Sequence, residues 1–238
     1  MIFKQRAYMT APLFTALSPA CNTPVHYEIR LGADIQHYIV QLNRWRASLF
    51  SEYPYLFQPT DIEDHAVAGE SSLPFSTMIC AFAGDILIGC LVGMPLPQYH
   101  DMSKDCYASD STLQMMQDKY PNAFFINELF IDPQHRSLRL MQGLYEKLEQ
   151  AIKQLHPACT IVCLLKIDDS LDHPLRPQAY ESSLATERIE HALVTTYDFI
   201  KTGDAVNLTW STITSDDTLS LEEHTVHVWC KTLSECTP

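Results

Sequence analysis

Between Phe124 and Leu155 the hydrophobic period changes once, from that of a strand to that of a helix. The stretch reads FFINELFIDPQHRSLRLMQGLYEKLEQAIKQL. Its first part, Phe124 to Ile131, is an apolar run broken only by Asn127 and Glu128, the pattern of a strand covered on both faces. Asp132-Pro133 ends it. From Arg136 onward Leu140, Leu144, Leu148, Ile152 and Leu155 recur at helical spacing, with Glu146, Lys147, Glu149, Gln150 and Lys153 on the opposite side. The first turn of such a helix presents N–H groups without partners and the positive end of the helix dipole, where a phosphate can settle. Arg136 and Arg139 fall in that turn. They equally suit an ordinary connection with solvated arginines.

Around this unit the chain supplies further elements. Residues 1–24 read as an irregular arm. Lys4 and Arg6 before Ala7 to Ala20 give it the outline of an export signal, but Thr10, Pro12, Thr15 and Ser18 interrupt the apolar run, so no signal is expected. His26 to Leu31 alternates as a strand. Asp34 is placed to cap a helix carrying Ile35, Tyr38, Ile39, Leu42, Trp45, Leu49 and Phe50 at helical spacing. Tyr53 to Phe57 is an aromatic loop suited to packing over a core edge. Ser76 to Phe82 and Ile86 to Met94 are strands joined by the hairpin signal Ala83-Gly84-Asp85. Pro95 to Ser111 is polar and reads as loop, and Thr112 to Tyr120 as a short helix.

Thr160 to Ile167 is a second buried strand, parallel to the central one if the crossover is right-handed. Asp168 to Tyr180 is a loop stiffened by two prolines, Leu184 to Thr196 is helical, and Ala205 to Ile213 and His224 to Leu233 are strands. The whole reads as one α/β domain with a mixed sheet over residues 25–238.

Charge narrows the function. A net charge of −13 argues against nucleic acid or an anionic membrane as partner, since either needs clustered Lys and Arg. No segment approaches the ~20 apolar residues of a membrane span. The eight cysteines contain no CxxC, and Cys80, Cys90, Cys163 and Cys230 lie in apolar strand-like runs where cysteine acts as a small buried hydrophobe. A reduced, cytoplasmic protein is therefore expected. His224 and His227, three apart on a strand, point to opposite faces, so no metal site is expected.

The order of elements resembles that of the GNAT superfamily of acyl-CoA-dependent N-acyltransferases over residues 25–234. NELFIDPQHR is similar to the strand and turn leading into that family's coenzyme A loop. YPYLF after the first helix, HPLRPQAY after the fifth strand and Trp229-Cys230-Lys231-Thr232-Leu233 resemble segments of one bacterial branch. The resemblance implies a single GNAT-like domain, with a mixed, mostly antiparallel sheet, helices on both faces and a central strand–turn–helix coenzyme A loop. It implies acetyl-CoA as co-substrate, with no metal, and the primary amine of a small molecule or peptide as acceptor. A homodimer is left open.

The resemblance also assigns residues. Backbone groups of Leu129, Phe130 and Ile131 would meet pantetheine and the thioester, and Arg136, Ser137, Leu138, Arg139, Leu140 and Met141 would cradle the diphosphate. The family's loop carries glycines where this chain has Arg139 and Met141. Arg139 either supplies a charge-assisted hydrogen bond to a phosphate or fills the space the coenzyme needs. Glu128 stands where many members carry a carboxylate base, and is otherwise explained by pairing with a Lys, an Arg or a backbone donor. The family's proton-donating tyrosine aligns with Val194, so Tyr197 is the nearest candidate. The alternative to an enzyme is an inactive GNAT fold that binds coenzyme A, another anion or a protein.

Overall fold

The computed structural model describes residues 24–51, 73–102, 110–135, 137–167, 190–213 and 218–233. Within them, seven strands form one sheet: β1 (Val25–Leu31), β2 (Thr77–Ala83), β3 (Ile86–Pro95), β4 (Ala123–Ile131), β5 (Ile161–Ile167), β6 (Ile200–Ile213) and β7 (Leu219–Thr232). Their order is β1-β2-β3-β4-β5-β7-β6, and β4 with β5 is the parallel pair among otherwise antiparallel neighbours. The helices are α1 (Ile39–Leu49), α2 (Leu96–Met102), α3 (Asp110–Lys119), α4 (Leu138–Leu155) and α5, residues 190–195. This is the mixed, mostly antiparallel α/β domain expected from the sequence.

The helices divide between the two faces. Leu140, Leu144, Leu148 and Ile152 of α4 share one cluster with Phe124 and Ile126 of β4, Val162 and Leu164 of β5 and Trp229 of β7. Ala192 and Leu193 of α5 join it. On the opposite face Leu42 and Trp45 of α1 pack with Phe130, Cys80 and Cys90. Leu96 of α2 and Met116 of α3 cover Phe125, Cys163 and Val228 on that same side, and Phe50 touches both clusters. Burying a side chain of this size contributes about 1.5–3 kcal/mol, so these layers fix where the central strand lies. Lys231 ties β7 to α4 through Glu149 at 2.6 Å, while Trp229 and Leu233 on either side of it enter the α4 cluster.

Several expectations are corrected. The first helix does not start from a cap at Asp34. A 3-10 segment, Gly32–Tyr38, comes first, with Gly32 at φ 48° and its N–H donating to the Ser76 carbonyl, and no side chain caps it. Part of the stretch read as loop after Pro95 is α2. Pro97 sits in its first turn, where a missing N–H costs little, and Leu96 is fully buried. The last two strands start earlier than expected, at Ile200 and Leu219. Cys230 is half-buried rather than sealed. The arm over residues 1–23, the YPYLF and HPLRPQAY segments and the start of the helix expected from Leu184 lie outside the described residues.

Where β3 meets β4 the backbones approach closely. The register steps between Val92 and Gly93, which pair with Glu128 and Ile126 and leave Asn127 as an extra residue in β4. A Cβ on Gly93 would lie 2.5 Å from the Phe125 carbonyl oxygen and 2.5 Å from the Phe124 ring. Gly93→Ala is therefore expected to destabilise the fold by about 1–3 kcal/mol, read from urea unfolding. An unchanged midpoint would show that β3 can move away from the bulge at no cost.

Candidate functional site

The bulge marks where the central strand parts from its parallel neighbour. β4 pairs with β5 over Ala123 to Ile126 only, opposite Ile161 to Leu164. Beyond that point β4 continues on β3 through Ile131, while β5 continues on β7 through Ile167. From Asn127 to Ile131 the β5 side of β4 thus has no ladder partner among the described residues. Alternate residues of a strand direct their N–H and C=O to opposite edges, so this opening is lined by backbone donors and acceptors.

Glu128 sits at the start of the opening, on the face that carries α1. It is 7% exposed, and Arg46 of α1, itself 4% exposed, is its partner. Arg46 Nε donates to Glu128 Oε1 at 2.8 Å, and Nη2 donates to the same oxygen. Arg46 Nη1 donates to Asn43 Oδ1 at 2.8 Å, which orients the guanidinium from within its own helix. Glu128 Oε2 is buried and has no hydrogen-bond partner among the described residues, and the same holds for Asn127 Oδ1 in the bulge. Unsatisfied buried oxygens are uncommon and costly. Two of them, on consecutive residues at the mouth of an unpaired strand edge, fit a site that receives polar groups from outside the chain.

The sequence-based alternatives for Glu128 were a base or an ion-paired structural group, and the structure supplies the arginine. Neither Arg46 nor Asn127 was singled out as functional from the sequence. Arg46 carried a signal, since it falls one turn after Leu42 and beside Trp45 on the apolar stripe of its helix. An arginine there needs a buried counter-charge.

From β4 the chain enters a tight turn. Asp132 N–H donates to the Ile88 carbonyl at 2.9 Å, and Asp132 Oδ1 accepts from the Gln134 amide at 2.8 Å. A 3-10 turn at Pro133–His135 follows. Ser137 then caps α4, its Oγ accepting from the Leu140 amide at 3.2 Å and its carbonyl from the Met141 amide at 3.2 Å. The first two helical amides, of Leu138 and Arg139, lie ahead of any intrahelical acceptor, as in any helix.

The other expected site residues are distributed as follows. Leu129 and Ile131 are partly buried on the α4 face, while Phe130 is fully buried under α1, 6.0 Å from Trp45 and 5.4 Å from Phe50 between ring centres. Leu140 and Met141 pack into the α4 cluster, so only their backbone belongs to the turn. Arg139 is exposed, and Arg136 lies outside the described residues. Tyr197 is in the core on the α4 face, its ring 4.7 Å from that of Tyr145. Burial, with help from Glu146, pushes its phenol up to about 12. Glu128 and Tyr197 thus lie on opposite faces of the sheet.

No family model and no curated protein matches the sequence. Solved structures do match in shape. FeeM, an N-acyl amino acid synthase from uncultured soil microbes, has a TM-score of 0.52 at 9% identity, covering 90% of this chain and 94% of its own. The Salmonella typhimurium protein yncA, assigned as an acetyltransferase and solved with its cofactor acetyl-CoA, has a TM-score of 0.50 at 8% identity, covering 90% and 97%. At such identities the likeness establishes the fold and nothing finer.

Proposed function

We propose that this chain, which carries the fold of the GNAT acetyltransferases, is an acyl-CoA-dependent N-acyltransferase that moves an acetyl group from acetyl-CoA to the primary amine of a small molecule or peptide. The observation that carries the reading is the early parting of β4 from β5, which leaves the edge of Asn127 to Ile131 open directly before a helix start. An open strand edge pairs with an amide-rich chain by the rules that build a sheet, and pantetheine contains two amides. A helix start adds N–H groups and a positive dipole end for the diphosphate. The solved relatives include an N-acyl amino acid synthase and a protein solved with acetyl-CoA, in keeping with an amine acceptor and this co-substrate.

In this reading backbone N–H groups of Leu129 to Ile131 hold pantetheine and polarise the thioester oxygen as charge develops on it. Glu128 removes a proton from the attacking amine, directly or through water. Arg46 occupies one of its oxygens and leaves Oε2 for that proton. The departing thiolate takes a proton from Tyr197, whose phenol is buried on the α4 face, or from water. Arg136, Ser137 and Leu138 to Met141 form the diphosphate turn, with Arg139 reaching a phosphate from its exposed position. Neither a metal, a nucleic acid nor a membrane enters the scheme. No described helix is long and apolar enough to span a bilayer.

One observation favours the inactive alternative, in which the fold binds an anion or a protein without transfer: Arg46 already satisfies half of Glu128. Turnover separates the two. Release of free coenzyme A thiol from acetyl-CoA, screened over primary amines, should rise with at least one amine. Binding of acetyl-CoA with no amine-dependent release across amino acids, polyamines, aminoglycosides and peptide N-termini would favour the alternative. Because Arg139 is exposed, Arg139→Gly should weaken acetyl-CoA binding no more than about fivefold, the ~1 kcal/mol of an exposed charge pair. A clear gain in affinity would show that the arginine obstructs the coenzyme.

A further inference from the structure

The face of the sheet under α2 and α3 holds a feature that acyl transfer does not use. Cys163 of β5 and Cys230 of β7 are register partners, directly opposite one another, with their Sγ atoms 2.8 Å apart. Directly opposed residues of an antiparallel pair have Cα atoms about 4.5 or 5.5 Å apart, and both spacings fall inside the roughly 4.4–6.8 Å that a disulfide spans. The two sulfurs therefore need to close only by a side-chain adjustment. Cys163 is fully buried, and Cys230 is half-buried beside Tyr120.

We infer that Cys163 and Cys230 form a redox-modifiable dithiol in which Cys230 is the thiol that reacts with a peroxide oxidant and Cys163 resolves it to an inter-strand disulfide between β5 and β7. The surroundings suit those unequal roles. Either sulfur can donate the hydrogen bond between them; with Cys163 as donor the Cys230 thiol is held below its ordinary value, against the opposing effects of burial and Asp204, and Tyr120 packs beside it. The thiolate is the reactive form. Tyr120 is fixed in turn by Asp204, whose Oδ2 accepts from its hydroxyl at 2.5 Å, while Asp204 Oδ1 accepts from Lys119 Nζ at 2.5 Å and Thr202 Oγ1 donates to Oδ2 at 3.2 Å.

The chemistry balances with peroxide as the only added reagent. The Cys230 thiolate attacks one oxygen of hydrogen peroxide, the O–O bond breaks, and hydroxide leaves to take up the thiol proton as water. Cys163 sulfur then attacks the sulfenic acid, the S–O bond breaks, and a second water leaves with the Cys163 proton. Two electrons pass from the paired sulfurs to the peroxide, and the steps follow the ordinary thiol oxidation ladder.

An internal control is present. Cys80 and Cys90 are also register partners, on β2 and β3, but both are fully buried. Burial pushes the Cys80 thiol up to about 12 and the Cys90 thiol well above its ordinary value. They should stay reduced at doses that link the other pair.

The test needs no coenzyme and is independent of the acyltransferase reading. Cys159 and Cys163 share the tryptic peptide Gln154 to Lys166, so the full chain is used with Cys159→Ser, and Cys230 lies on Thr202 to Lys231. After reduction, hydrogen peroxide treatment, alkylation and digestion, the two peptides should appear joined, short by two hydrogens, and separate on adding dithiothreitol. In the wild-type chain one linkage should lower the count of alkylated thiols from eight to six. Cys163→Ser should lose the linked peptide and allow dimedone to label Cys230. The inference is overturned if both thiols stay alkylated while Cys159 oxidises, if the bond forms only between chains, or if Cys80 and Cys90 link at the lower dose.

Discussion

Arg46→Met is expected to lower the unfolding free energy by about 3–5 kcal/mol, the usual loss when one partner of a buried ion pair is removed. Methionine keeps most of the arginine stem in the apolar contact between α1 and β4, so packing changes little. What is lost is the partner of a carboxylate that is 7% exposed and has no other donor among the described residues. The expectation extends to the double variant Arg46→Met with Glu128→Leu. Replacing both charges by apolar groups of similar size is often neutral or stabilising, so most of the loss should return. Urea unfolding of the wild type, both single variants and the double variant measures the coupling directly. A loss below about 1 kcal/mol in Arg46→Met would place the pair among solvent-screened surface bridges and contradict its burial.

Glu128→Gln is expected to lower kcat by about 10²–10⁴-fold, the range that a positioned general base contributes, while leaving the Kd for acetyl-CoA nearly unchanged. Glutamine retains an oxygen for Arg46 Nε, so the side chain should stay in place while Oε2 is replaced by a group that cannot accept a proton. The same substitution leaves the Arg46 charge without a counter-charge, so stability falls as well. Turnover must therefore be measured well below the melting temperature of the variant and expressed per folded molecule. Equal losses in kcat and in coenzyme affinity would assign Glu128 to the architecture of the cleft rather than to proton transfer.

The sequence made the central unit legible because one stretch changed at Asp132-Pro133 from a near-continuous apolar run to helical spacing. It also singled out Glu128, since a carboxylate in an apolar strand is costly without a use or a partner. The partner was out of reach, because Arg46 and Glu128 are 82 residues apart and meet only through tertiary packing. Asn127 read as an interruption. Its role as the extra residue of a bulge depends on the register between β3 and β4, which alternation alone does not set.

The same limit hid the pairing of Cys163 with Cys230. The apolar runs placed each cysteine in a buried strand but did not show which residue stands opposite. The opening between β4 and β5 could not be read from the residues, since the number of rungs two parallel strands share leaves no trace in composition. Helix α2 was missed for a local reason. Leu96-Pro97-Gln98-Tyr99 looks like loop unless the proline is placed in a first turn and the leucine in the core.

Everything functional in this account rests on coenzyme entering between β4 and β5. Hydrogen exchange followed by mass spectrometry, with and without saturating acetyl-CoA, tests that directly. Protection should rise in peptides covering Asn127 to Ser137 and in those covering Leu165 to Ile167, and should not change in Leu219 to Thr225 at the start of β7. Saturable binding that leaves exchange at Asn127 to Ser137 unaltered, or no binding at millimolar coenzyme, would contradict the account.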